Sequence, residues 1–136
     1  MKPQTYLLDT SLLIDLDAEE VSGGDGPAHR ALKTFPQGAI YLSPVTVAEF
    51  LEGAVDEEAA YKVLLQYSWH TIGDAVARRY SLNQRRAARK GTMMGENDAW
   101  QAAIASVHGH TLVGCDEAFK NRPWLKYIDH RKKFSK

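Results

Sequence analysis

The sequence has little of three features that define whole classes of protein. It has one cysteine, Cys115, among 136 residues, which excludes an intramolecular disulfide and indicates a reducing compartment. It has no apolar run long enough for a membrane span, because Asp9 and Asp15 interrupt the apolar N-terminal stretch. The same two acids exclude the apolar segment of a signal peptide. We therefore expect a cytoplasmic protein that does not contact a membrane.

Sequence signatures of several chemistries are missing as well. The glycine-rich segment SGGDGP, residues 22–27, lacks the Lys-Ser/Thr pair of a Walker A phosphate loop. Cys115 has no second cysteine, and the five histidines are not spaced as zinc ligands. We find no Ser-His-Asp arrangement and no context for a nucleophilic cysteine. Surface or packing roles are expected for these His and Cys residues.

The net charge of the chain is zero, but the charged residues are unevenly distributed. The chain carries 17 Lys/Arg and 17 Asp/Glu, yet residues 1–60 hold 3 Lys/Arg against 11 Asp/Glu and residues 61–136 hold 14 against 6. Basic residues cluster in a predicted helix and in the C-terminal tail. This asymmetry is typical of a protein with a polyanionic partner such as nucleic acid. The alternative is a solvated helix face followed by a frayed tail.

Short apolar runs alternate with helical patterns along the chain. A hydrophobic content of 44% in 136 residues suits one globular domain, residues 1–136. We predict strands at 4–8, 39–43, 111–114 and 125–129, and a strand or extended connection at 68–72. We predict helices from Ser11 as N-cap, at 27–35, after Ser43 as N-cap, at 56–67, at 75–90 capped by Asp74, and at 96–108 closed by Gly109. This alternation predicts an α/β fold of three layers with a parallel sheet.

Four acids fall where such a sheet places its functional sites, at the carboxyl ends of the strands. Asp9 ends the first strand, and Asp116 follows the strand TLVG. Glu49 lies in the helix after the second strand, and Asp98 in the first turn of a later helix. Each acid alone has a structural explanation as a cap, a turn residue or an exposed helical residue. Together they predict one acidic cleft.

The acidic cleft points to a particular chemistry. Four carboxylates repel one another, and a divalent cation reverses that cost. Ligands that are all oxygen suit Mg²⁺ or Mn²⁺. Such ions activate water and stabilise the leaving oxygen in phosphate-ester hydrolysis.

Four stretches of the chain together resemble a known family. LLDTSLLIDL, SPVTVAEFLEG, GENDAWQAAIA and TLVGCDEAFKNRPWLKYI resemble the PIN-domain nucleases, in particular the VapC-type toxins of prokaryotic toxin–antitoxin pairs. The resemblance implies a PIN-like three-layer α/β/α sandwich with a central parallel β-sheet. It also implies an endoribonuclease that uses Mg²⁺ or Mn²⁺ and leaves a 5′-phosphate and a 3′-hydroxyl. We expect RNA as substrate, a cognate antitoxin as partner, and a homodimer.

The resemblance also assigns the site residues. The implied catalytic and metal-binding residues are Asp9, Glu49, Asp98 and Asp116. By this likeness Glu49 binds the metal directly or through water. The family often has Thr followed by Arg or Asn before the last acid, where this chain has Gly114 and Cys115, so direct ligation by Asp116 stays open.

Residues around the four acids have predicted roles too. Thr10 and Ser11 match the hydroxyl residues that support Asp9. Glu96 is an additional acid that either binds a second ion or favours the helix N-terminus. Trp100 is expected to pack in the core rather than stack on a base. The basic residues expected either to contact RNA phosphates or to lie outside the cleft are Arg85, Arg86, Arg89 and Lys90.

Two other classes of protein compete with this interpretation. A haloacid-dehalogenase-type phosphatase also begins with an aspartate at a strand end, but it needs a second aspartate two residues later, where this chain has Ser11. A PIN fold without catalysis that binds RNA or protein is the second alternative. The presence of all four acids argues against it.

Overall fold

The computed structural model describes residues 2–135, and its centre is a five-stranded parallel sheet with the order β3-β2-β1-β4-β5. The strands are β1 (Tyr6–Leu8), β2 (Ile40–Leu42), β3 (Ser68–Trp69), β4 (Thr111–Gly114) and β5 (Tyr127–Asp129). The helices are α1 (Thr10–Val21), α2 (Pro27–Thr34), α3 (Pro44–Glu52), α4 (Glu57–Leu64), α5 (Asp74–Lys90), α6 (Glu96–His108) and α7 (His130–Lys133). Short 3₁₀ turns lie at Gln37–Ala39 and Glu117–Phe119.

Two apolar clusters fill the two faces of the sheet. Successive strand residues point to opposite faces, so Leu8 and Val113 belong to one cluster and Leu7 and Leu112 to the other. The first cluster includes residues of α1 to α4, and the second includes residues of α5 and α6. The strands are therefore covered on both sides, as buried parallel strands require. The predicted α/β/α sandwich with a central parallel sheet is confirmed.

The register of the sheet brings the ends of β1 and β4 together. Leu8 lies opposite Val113, and the Asp9 amide donates a 2.8 Å hydrogen bond to the Val113 carbonyl. Because both strands run in the same direction, the residues that follow them leave the sheet at the same edge. Asp9 and the chain after Gly114 thus start from neighbouring positions.

The helix boundaries agree with the sequence at some positions and correct it at others. Ser43 caps α3, and Gly109 closes α6 in the left-handed conformation with φ 71°, as predicted. Ser11 is not the N-cap of α1, because Asp9 takes that position. Asp74 is the first residue of α5, and Gly73 precedes the helix as its cap. Among residues 2–135, no helix combines the length and apolar character of a membrane span.

The C-terminal tail is not frayed. Residues 130–133 form α7, and Nε2 of the fully buried His130 donates a 2.7 Å hydrogen bond to Asp15 Oδ2. Arg131 donates to both carboxylate oxygens of Asp15, at 2.7 and 2.8 Å. The hydrogen bond from Arg131 is the main reason that the pKa of Asp15 is lowered. These contacts hold α7 against α1, although the two helices are more than 100 residues apart in the sequence.

Candidate functional site

Asp9 is the most buried of the four acids, with 6% of its surface exposed. The Ser11 hydroxyl donates to Asp9 Oδ2 at 2.7 Å, and the Ser11 amide donates to the same oxygen at 3.3 Å. Gln101 Nε2 approaches the other oxygen, Oδ1, at 3.3 Å. Burial raises the pKa of Asp9, the Ser11 hydrogen bonds oppose that rise, and the charges of Asp116 and Glu49 add to it. Both oxygens of Asp9 are therefore oriented by the protein.

Gly114 lies against the Asp9 side chain. A Cβ added at Gly114 would stand 2.8 Å from Asp9 Cβ and 2.9 Å from Ser11 Oγ, distances that real Cβ atoms do not adopt. The next residue, Cys115, donates its amide to Ser11 Oγ at 3.0 Å. In this chain the glycine at position 114 thus fits the close approach of Asp9 and Ser11. A side chain there would occupy the space of Asp9.

Glu49 projects from α3 and is held at both oxygens. The Thr10 hydroxyl donates to Oε1 at 2.6 Å, and Asn97 Nδ2 donates to Oε2 at 3.1 Å. The Thr10 hydroxyl, expected to support Asp9, donates to Glu49 in this structure. Thr10 begins α1 on the side that faces α3, where its hydroxyl also lies 3.4 Å from Thr46 Oγ1.

Asp98 lies within electrostatic reach of the other three acids. It lies in the first turn of α6, half-buried, and its pKa is raised to about 6. Burial is the largest cause, followed by the negative charges of Asp116, Asp9 and Glu49, and a side-chain hydrogen bond with Asp116 adds to the rise. Each of the other three carboxylates is thus close enough to act on this one. Four segments that are distant in sequence supply them.

Asp116 follows β4 and begins a 3₁₀ turn. Its Oδ1 accepts a 2.9 Å hydrogen bond from the Ala118 amide, and its carbonyl accepts one from the Tyr127 hydroxyl at 3.0 Å. These contacts fix the backbone and one carboxylate oxygen, while the hydrogen bond with Asp98 joins the cluster.

The remaining predicted residues lie around this cleft. Glu96 is exposed at the start of α6, and its charge is not among the main causes of the raised pKa of Asp98. Trp100 packs against the core and stacks on Tyr80 with ring centroids 4.0 Å apart, as predicted. The predicted basic residues are all exposed on α5: Arg85, Arg86, Arg89 and Lys90.

Sequence reasoning missed Gln101, which is 1% exposed on α6. The Ser43 hydroxyl donates to Gln101 Oε1. Gln101 Nε2 donates to the Thr46 hydroxyl and to Asp9. Gln101 therefore joins α6, α3 and the end of β1 beneath the carboxylates. The available signal was its position one turn after Asp98 within a run of buried alanines, because a buried amide needs partners.

A group other than the four carboxylates has its ligand atoms spaced closely enough for a metal ion. Among residues 2–135, Asp15, Cys115 and His130 each place one ligand atom within 4.8 Å of the other two. Arg131 already pairs with both oxygens of Asp15, and a cation would have to displace that guanidinium. We interpret this group as the attachment of α7 to α1.

Comparison with known proteins supports the fold and assigns a family. No curated protein matches the chain. A toxin-antitoxin complex from Klebsiella pneumoniae is similar in structure, with a TM-score of 0.77, 23% identity, and coverage of 93% of this chain and 98% of that one. VapBC2 from Rickettsia felis, bound to a DNA fragment from its promoter, gives a TM-score of 0.78, 19% identity, and coverage of 92% and 98%. FitAcB from Neisseria gonorrhoeae gives a TM-score of 0.75 and 18% identity, with coverage of 93% of this chain and 98% of that one.

At these identities the structural likenesses show the fold alone. The sequence adds a match to the PIN domain family over residues 6–125. That match spans β1 to the segment before β5 and includes all four acids of the cleft. The chain belongs to the PIN domain family.

Proposed function

We propose that this protein is a metal-dependent endoribonuclease that serves as the toxin of a toxin–antitoxin pair. The observation that carries the proposal is the cleft of four carboxylates, in which three of them help raise the pKa of Asp98 to about 6. Membership of the PIN domain family supports nucleic acid hydrolysis. The similar toxin-antitoxin complex from Klebsiella pneumoniae supports the toxin role.

The donor set of the cleft fits Mg²⁺ or Mn²⁺. All four side chains offer only carboxylate oxygen, the ligand that these ions prefer. Asp9, Asp98 and Asp116 would hold the ion, with Glu49 binding directly or through water. A divalent cation also lowers the repulsion that burial and like charge create here. When bound, the ion supplies activation of water and stabilisation of the leaving oxygen.

The protein's own contribution is to hold the carboxylates before any ion or substrate arrives. Ser11 and Gln101 orient the two oxygens of Asp9, and Thr10 and Asn97 orient those of Glu49. Donors behind a ligand fix its direction and reduce the reorganisation that binding requires. Gly114 leaves the space that this arrangement needs.

The partners follow from the same proposal. The similar structures that contain toxin–antitoxin complexes support a cognate antitoxin. RNA as the substrate, a homodimeric assembly and a cytoplasmic location stay predictions from the sequence. In this proposal the acidic cleft binds RNA phosphates only with the help of a cation.

The test is cleavage of single-stranded RNA by antitoxin-free protein in Mg²⁺, in Mn²⁺ and in EDTA. We expect cleavage with either ion and none in EDTA. Asp9→Asn should lower the rate at least about 100-fold, because it removes a charged ligand. Asp17→Asn, an exposed acid on the same helix, is the matched control and should keep the parent rate.

Two results would contradict the proposal. The first is RNA binding without cleavage by the parent protein in either metal, which would favour a PIN fold that only binds. The second is an equal loss of rate in Asp9→Asn and Asp17→Asn, which would remove the cleft from the reaction.

A further inference from the structure

A basic cavity of about 540 Å³ lies beside the acidic cleft. Its walls are the C-terminal half of α5 and the chain that follows the 3₁₀ turn at Glu117–Phe119. The lining residues used here are Arg86, Lys90, Thr92, Glu117, Arg122 and Trp124. The volume lies within the range of roughly 300–1,000 Å³ that small-ligand sites occupy.

Both walls of the cavity are connected through the chain to residues of the acidic cluster. Glu117 and Ala118 line the cavity and follow Asp116 in sequence. On the opposite wall Thr92 is the last lining residue, and the chain leads from it to α6, which carries Asp98 in its first turn. A ligand seated in the cavity would therefore contact the segments that lead to Asp116 and Asp98.

Hydrogen bonds hold the two walls in place. Arg122 Nε donates to the Ala118 carbonyl at 2.8 Å, and its Nη1 donates to the Thr92 carbonyl at 2.9 Å. Gln84 exchanges two hydrogen bonds with the Met94 backbone, at 2.9 and 3.3 Å, and so fixes the loop to α5. The cavity is thus built into the fold before a ligand binds.

The charge of the cavity is uncompensated. Glu117 is the single acid that lines it, and this carboxylate pairs with Lys120 at 2.7 Å. Arg122 bonds to neutral carbonyls, which leave its positive charge in place. Arg86 and Lys90 form no ion pair with any of residues 2–135. Three cations therefore face the cavity without an anion.

An aromatic surface accompanies these cations. Trp124 lines the cavity with 37% of its surface exposed, although an indole of this size ordinarily packs inside. The combination of free cations for phosphate and an aromatic face for a base is the usual arrangement of single-strand binding sites. An acidic peptide would use the cations, but it would cover the indole only if it also carried an apolar or aromatic side chain at the matching position, whereas every nucleotide has a base.

We propose that this cavity binds a nucleotide of single-stranded RNA adjacent to the cleaved phosphodiester. Arg86, Lys90 and Arg122 contact phosphate, and Trp124 stacks on the base. This inference rests on the proposed nuclease function and deepens it, because it names the contacts that bring RNA to the carboxylates.

The proposal divides the basic residues of α5 into two faces. Arg86 and Lys90 are four residues apart, lie on one face of the helix and line the cavity. Arg85 and Arg89 have the same spacing on a neighbouring face and do not line it. The chain thus offers two double variants, R86Q/K90Q and R85Q/R89Q, with the same change in charge and different positions.

The test measures affinity for a short single-stranded RNA of mixed sequence by fluorescence anisotropy. EDTA prevents cleavage, so binding is separated from the reaction. We expect R86Q/K90Q to weaken binding at least about tenfold and to make the slope of log affinity against log salt shallower by about 1.4, or about 0.7 for each lost phosphate contact. R85Q/R89Q should change the affinity less than about threefold, because its charges act only at a distance.

A second pair of variants tests the aromatic contact. Trp124→Leu should weaken binding at least about fivefold without changing the salt slope, because stacking releases no counterions. Trp124→Phe keeps an aromatic face and should restore most of the affinity. Circular dichroism of every variant checks that it is folded.

The outcomes separate this inference from the proposed function. Equal losses of RNA affinity in the two double variants would overturn the proposal that the cavity binds RNA. Unchanged RNA affinity in R86Q/K90Q would also overturn it and would favour an acidic protein as the occupant of the cavity. A parent protein that cleaves no RNA but shows the selective loss in R86Q/K90Q would support the cavity as an RNA site and reject the nuclease function.

Discussion

The two ends of α6 gather ionisable groups in opposite ways. Asp98 lies in the first turn among the carboxylates, and His108, the last residue, lies among histidines. The ten-position separation between them corresponds to about 15 Å of helix. The pKa of Asp98 is raised to about 6, whereas the pKa of His110, beside His108, is lowered to about 4. Burial is the largest cause at both ends, and like charges add to it.

At the histidine end, both ring nitrogens of His110 have partners within the protein. His110 is 5% exposed, and its Nδ1 lies 2.6 Å from Thr5 Oγ1 while its Nε2 lies 2.6 Å from His70 Nε2. His70 stacks on His108 with centroids 3.9 Å apart, and Tyr41 stacks on His110 at 4.5 Å. Burial and the charges of His70, His108 and Lys126 keep His110 neutral.

The comparison explains why only one end calls for a cation. With a pKa of about 4, His110 is uncharged at pH 7, so its neighbours impose no repulsion there. With a pKa of about 6, Asp98 is still mostly ionised at pH 7 and stands among three other acids. The acidic end therefore keeps a repulsion that a divalent cation relieves.

The largest effect is expected from Gly114→Ala at the acidic end. The new Cβ would stand 2.8 Å from Asp9 Cβ, so either β4 or Asp9 must move. We expect a loss of about 3 kcal/mol in the free energy of unfolding and at least about 100-fold in RNA cleavage. Urea unfolding and cleavage assays measure both. Gly38→Ala, where no atom lies within 4 Å of the added Cβ, is the control and should match the parent. Parent-like activity in Gly114→Ala would show that Asp9 tolerates displacement.

Gln101→Leu removes the amide beneath the carboxylates while it keeps most of the volume. Ser43 and Thr46 would lose a buried partner, which costs about 2 kcal/mol of unfolding free energy. The exposed Gln66→Leu is the matched control, with an expected change below about 0.5 kcal/mol. Urea unfolding in EDTA distinguishes the two. Equal stability of both variants would mean that the Gln101 network contributes little.

Low pH should lower the free energy of unfolding through protonation of His110. The pKa of His110 is about 4 in the folded protein and near its ordinary 6.5 when unfolded, so the unfolded chain binds the proton first as pH falls. The parent should therefore lose about 2 kcal/mol between pH 7 and pH 4.5 that His110→Gln does not lose. Unfolding free energies at several pH values measure the difference. Parallel curves for the two proteins would remove His110 as the cause.

The smallest effect has the opposite sign and comes from Asp98→Asn. The folded parent keeps a proton on Asp98 up to about pH 6, while the unfolded chain loses it near 3.8, so parent stability falls as pH rises between these values. In EDTA the variant should be more stable than the parent by about 1 kcal/mol at pH 7, after allowance for solvent screening, and equal to it near pH 4. A variant that is less stable at pH 7 would show that the Asp98 charge supports the fold.

Local patterns were sufficient to predict most of the fold. Pro44 after Ser43 and Gly109 after His108 mark helix ends by their own backbone chemistry, and the apolar runs of β1 and β4 mark buried strands. The layered arrangement then follows from the alternation of elements. The four acids were found because their positions relative to strand ends can be read from the sequence.

The partners of those acids could not be predicted in the same way. Thr10 donates to Glu49, 39 residues away, rather than to its neighbour Asp9, and α7 depends on contacts between Asp15 and Arg131. Such hydrogen bonds depend on how α1 is rotated against α3 and α7, and local sequence patterns do not predict that rotation. The need for glycine at position 114 likewise becomes visible only when Asp9 is placed against β4.

The most direct test of the central claim is Mn²⁺ binding to the parent, Asp98→Asn and His110→Gln by isothermal titration calorimetry at pH 7. The account predicts saturable binding to the parent, at least about tenfold weaker binding to Asp98→Asn, and parent-like binding to His110→Gln. Binding that survives in Asp98→Asn and disappears in His110→Gln would place the cation at the histidine end and contradict the account.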